Sequence, residues 1–107
     1  MSGFGHYSRT VAEIVKEIAV CCFLLEWDWT DAAQTRTLVD EFLRCTSEQR
    51  LSMLRSPNEQ TKARGKIFAL LTLLLNLTRQ AAQAGVRITS GSRLWQALEQ
   101  AFTEACA

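Results

Sequence analysis

One proline, one histidine, one tyrosine and five glycines are spread over 107 residues. Each scarcity removes a class of protein. With His6 alone, a zinc site of mixed His and Cys ligands lacks donors, and a nucleophile activated by histidine would depend on a residue in a loose N-terminal arm, where orienting it is hard. The four cysteines do not form a CxxC pair: Cys21 and Cys22 are adjacent, while Cys45 and Cys106 stand far apart. No glycine-rich loop is present to cradle a phosphate. β-Branched residues never alternate over the length of a strand, so the sequence contains no β signal. The pairs Glu26/Asp28 and Asp40/Glu41 read as solvated charges beside helix ends and polar neighbours. These absences predict a protein without metal, cofactor or catalytic centre.

The remaining composition is that of an ordinary folded domain. Hydrophobic residues make up 48% and charged residues 21%, enough apolar surface to build one core without disulfides. The formal charge of +1 selects no polyanion or membrane by itself. The run Ile18 to Leu25 is apolar but is preceded by Glu13 and Glu17 and followed by Glu26-Trp27-Asp28, which does not read as a secretory leader. The Leu-rich run after Ile67 is too short to span a membrane and carries Asn76. A reduced, cytoplasmic chain is expected.

The most informative stretch runs from Pro57 to Gly85. Ser56, Pro57 and Glu59 resemble a capping box with proline at the first helical position, and Gly85 suits a left-handed stop. The spacing predicts a helix over about 57–84, roughly 42 Å long, apolar around most of its middle. On either side, further helices are expected. Thr10 to Glu13 forms a capping-box pattern opening a helix to about Glu26, with Val11, Ile14, Val15, Ile18, Cys22 and Leu25 on one stripe. Asp28 or Thr30 is expected to cap a second helix from about Asp31 to Cys45, facing inward through Ala32, Leu38, Val39, Phe42 and Cys45. Thr46 to Gln49 starts a short third helix that must end before Pro57. Val86 and Ile88 are expected to turn inward in a connector. Ser90 or Ser92 then caps a last helix with Leu94, Trp95, Leu98, Ala101, Phe102 and Ala105 on one stripe. The expected fold is all-α, a single-domain bundle of about five helices around the long central one. Residues 1–9 are read as a flexible arm, pinned by Phe4 or Tyr7, and 10–107 as the helical domain.

Two features point toward binding. Apolar surface on the first and central helices exceeds what five helices readily cover. Trp27, Trp29 and Trp95 near helix ends are the expected partner-binding anchors, because tryptophan is enriched at interface hot spots. The expected function is a small regulatory or inhibitory module that binds another protein through apolar helical surface as a homodimer. In a general way this resembles the small regulatory and inhibitor proteins of bacteria and phages.

Charge is also divided. Val11 to Glu48 holds eight acidic residues against Lys16, Arg36 and Arg44, and Gln49 to Arg93 holds eight basic residues against Glu59 alone. Either the two halves pair internally, or the basic segment 50–93 contacts an acidic partner or nucleic acid through Arg55, Lys62 and Lys66. Lys62 and Lys66 share a helix face, with Arg64 roughly opposite.

Overall fold

The computed structural model describes the backbone of residues 3–85 and 93–105 and the side chains of residues 9–85 and 93–105. The expectations for Phe4, Tyr7, Val86, Ile88, Ser90 and Ser92 fall outside them. Five α-helices follow one another: α1 Gly3–Leu24, α2 Ala32–Arg44, α3 Ser47–Leu54, α4 Glu59–Gln83 and α5 Arg93–Ala105. No strand occurs among the described residues. Helix α4 is the central element, with 25 residues and a length of about 37 Å in a molecule of 43 × 26 × 25 Å. α1 and α3 pack against it, α2 packs against α5, and α1 also touches α5.

Local chemistry explains where each helix begins. α1 already starts at Gly3, so Thr10 lies inside it and is not its cap. α2 is capped by Asp31, whose Oδ1 accepts from the backbone N–H groups of Ala33 and Gln34 at 2.9 and 3.3 Å. Asp28 and Thr30 do not cap it. Asp28 instead closes its own turn, accepting from the Thr30 backbone N–H at 2.9 Å and from the Thr30 hydroxyl. α3 carries the expected capping box: Thr46 Oγ1 accepts from Gln49 N–H at 3.1 Å, and Gln49 Oε1 accepts from Thr46 N–H at 2.8 Å.

α4 begins two residues later than the Pro57 pattern implies. Asn58 Oδ1 accepts from Gln60 and Thr61 N–H at 2.9 and 3.1 Å, satisfying two donors at once. Ser56 Oγ is spent on Asn58 N–H, so the box with Glu59 does not form. The far end behaves as expected, with Gly85 left-handed (φ 75°) and its N–H bonded to Ala82 O.

The core follows the helical stripes. Val11, Ile14, Val15, Ile18, Cys21 and Cys22 of α1 meet Ile67, Phe68, Leu71 and Leu74 of α4, with Leu38, Val39 and Phe42 of α2 and Leu94, Trp95, Leu98 and Ala101 of α5 closing one cluster. Phe42 sits at its crossroads, with ring centroids 5.8 Å from Phe68 and 5.9 Å from Phe102. In α2, Ala32 is exposed and Thr35 takes a buried place instead, its hydroxyl donating to Trp29 O at 2.9 Å. That bond ties the Trp27–Trp29 turn to α2 and satisfies a polar group inside the core.

Candidate interaction surface

The last turns of α1 follow from its register. The stripe from Val11 through Cys22 turns inward, and at 100° per residue Val20, Phe23 and Leu24 must project the other way. They do: Phe23 is 84% exposed, Leu24 62% and Val20 52%. Spaced i, i+3 and i+4, the three occupy one face of a single turn. Elsewhere Leu43, Leu51 and Leu73 are exposed singly, as surface apolar residues commonly are.

The helix stops just beyond this turn by an irregular device. Glu26 adopts φ 53°, the left-handed region that favours glycine. Its N–H reaches Phe23 O at 3.1 Å and Trp27 N–H reaches Cys22 O at 2.9 Å, the paired bonds of a Schellman ending. The chain folds back here, so Trp27 packs against the core while Phe23 and Leu24 stay outside.

The three tryptophans divide. Trp95 is a core residue, 8% exposed on the inner face of α5, because its position falls on the stripe with Leu94, Leu98 and Ala101. Trp27 and Trp29 are half-buried and rest on the core. Trp27 contributes to an open groove of about 610 Å³ whose wall also includes Leu25, Leu38, Gln34, Asn58, Gln60, Thr61 and Arg64. Trp29 contributes to a smaller one of about 320 Å³ between the start of α2 and α5, with Arg93, Gln96, Gln100 and Glu104. Neither groove lining includes a histidine, cysteine or serine.

Charged side chains pair across the two halves of the sequence. Lys66 meets Glu17 at 3.5 Å and Arg64 meets Glu41 at 3.1 Å; Arg36 bridges Asp40 at 3.2 Å and Glu104 at 3.4 Å. All are substantially exposed, and such pairs contribute at most about 1 kcal/mol each. Of the three basic residues expected to meet an acidic partner, Lys66 is thus engaged within the chain. Lys62 and Arg55 are exposed and make no ion pair among the described residues.

The thiols are quiet. Burial pushes Cys22 up to about 11, with Cys21 beside it adding to the rise. Cys21 is also raised by burial, opposed by the charge of Lys66. Thiols held protonated in this way are poor nucleophiles. Asp28 is shifted the other way, lowered by the Thr30 side-chain and backbone hydrogen bonds that favour its ionised form. Among the described residues, no group of three or more His, Cys, Asp or Glu is placed to hold a metal ion, and no helix is long and apolar enough to cross a membrane.

The patch at Val20, Phe23 and Leu24 was only partly legible beforehand. The run Ile18 to Leu25 is apolar throughout, so composition alone does not separate its inward from its outward side chains. The register of α1 held the missing signal, because it aligns Val20 and Leu24 with Glu13 and Lys16 on the outward face. No protein-family model, curated protein or solved structure matches this chain.

Proposed function

We propose that this protein is a small protein–protein interaction module, acting by occupancy and not by catalysis. The contact surface is the outward face of α1 at its C-terminal end. One observation carries the reading: Phe23 stands 84% exposed with Val20 and Leu24 on the same turn. Fully burying such side chains yields about 1.5–3 kcal/mol each, which a lone helix face in water forgoes. Contiguous apolar groups on a soluble domain mark binding surfaces more often than isolated ones do. Free thiols at Cys21, Cys22 and Cys45 suit a reducing compartment.

The nucleic-acid alternative draws less support. Arg64 and Lys66 are engaged with Glu41 and Glu17, which leaves Lys62 and Arg55 without the continuous basic stripe that phosphate tracking needs.

The reading is tested with a photo-crosslinking residue at position 23, used on the full chain in cell extract, followed by reconstitution with the purified crosslinked protein. Saturable binding that Phe23→Glu weakens by about 30-fold or more is expected for an interface anchor. If no protein, this chain included, binds in a way that depends on Phe23, the module has no such surface and the reading fails.

A further inference from the structure

We infer that the apolar end of α1 is covered by the same surface of a second copy, two α1 helices packing antiparallel across a twofold axis near Val20 and Leu24. This rests on the interaction reading above and names its occupant.

The patch is the first argument: Val20, Phe23 and Leu24 stand 52%, 84% and 62% exposed on one turn, apolar area that the same face of a second copy would cover.

Charge supplies the second argument and also the direction. Lys16 lies one helical turn before Val20 on the same exposed face and makes no ion pair among the described residues. Just past the patch come Glu26 and Asp28, both exposed, at the carbonyl end of α1. In an antiparallel pair each Lys16 lies over the partner's helix end, where the negative end of the helix dipole and these carboxylates lie. A parallel pair would set Lys16 against Lys16. Glu17 also faces outward, but Lys66 neutralises it at 3.5 Å. Glu13 lies almost one further turn from the axis, where crossing helices have begun to diverge.

Symmetry makes the small patch sufficient. An isologous contact uses each residue twice, so three side chains become a six-residue apolar centre. Leu24 of one copy then meets Val20 of the other, with Phe23 of each flanking the axis.

The test is the mass of the full chain by sedimentation equilibrium across the micromolar range, alongside Phe23→Glu and Leu24→Glu. A dimer is expected for the native chain, with the dissociation constant raised about 30-fold or more in either variant. Far-UV circular dichroism should be unchanged, since both side chains are exposed in the single chain. Lys16→Glu should weaken the dimer several-fold. A native chain that is monomeric throughout overturns the second-copy occupant; crosslinking at position 23 to a different protein would then leave the interaction reading intact. A dimer that survives both substitutions overturns the location. A dimer unchanged or tightened by Lys16→Glu overturns the antiparallel arrangement.

Discussion

Gly65 and Met53 lie so close that α3 rests on the backbone of α4: a Cβ at Gly65 would fall 2.9 Å from Met53 Cβ and 3.1 Å from Leu54 N. α3 has no fully buried residue of its own, so this close approach substitutes for a core face. Gly65→Ala should therefore destabilise the fold by about 1–3 kcal/mol through overpacking. Helix propensity alone argues the reverse, since alanine in mid-helix is favoured over glycine by ~1 kcal/mol. Chemical denaturation decides between them, and a stabilised variant would show that α3 can yield without cost.

The central helix offers an internal comparison. Leu74 is 3% exposed and Leu73, its neighbour, is 51% exposed. Leu74→Ala is expected to cost about 2–5 kcal/mol and Leu73→Ala less than ~0.5 kcal/mol. Equal losses at the two positions would contradict the register of α4.

Glu26 holds a left-handed conformation that costs a non-glycine residue roughly 1–2 kcal/mol. Glu26→Gly relieves that strain but loosens the unfolded chain, so a net gain of about 0.5–1 kcal/mol is expected. Glu26→Ala, which keeps a Cβ, should show no such gain. Thermal melts of the three proteins measure the difference.

Trp29 is half-buried against the core, and its carbonyl accepts the buried Thr35 hydroxyl. Trp29→Glu is thus expected to lower the free energy of unfolding by ~2 kcal/mol or more, through loss of packing and a charge placed against apolar neighbours. Phe23→Glu should leave the midpoint of the single chain nearly unchanged. Dissociation without destabilisation in Trp29→Glu would move the interface to the Trp27–Trp29 turn.

The thiols set an alkaline limit. Burial pushes the Cys22 thiol from its ordinary value of 9.0 in the unfolded chain up to about 11 in the fold. Its contribution to stability is fully present below pH 9 and is lost as pH rises toward about 11, because the unfolded chain releases the proton first. Denaturation midpoints measured across that window should fall, and less steeply in Cys22→Ala. In a Cys106→Ser background, one thiol, Cys45, should react rapidly with a thiol reagent at neutral pH. Cys21 and Cys22, both buried, should react only on unfolding.

Much of this molecule was determined by its sequence alone. Helical periodicity in Val11 to Cys22, Leu38 to Phe42 and Leu94 to Ala101 specifies α1, α2 and α5 and most of their inward stripes, since a period of 3.6 admits one buried face. Thr46 with Gln49, and Gly85, act through bonds to residues a few positions away, so their roles were visible without a fold. Choices between competing local bonds were less visible. Asn58 prevailed over Ser56, and Asp31 over Asp28, by which side-chain oxygen reached two free N–H groups. Tertiary structure decided the rest. Whether an apolar side chain is core or surface depends on which helices pack beside it: Cys22 faces inward where α1 packs on α4, and Trp95 where α5 packs on α2, while among the described residues Phe23 is left exposed. The pairing of Lys66 with Glu17 and Arg64 with Glu41 is likewise a matter of distance in space. Sequence supplied the two opposite charges; only packing brought them within 4 Å.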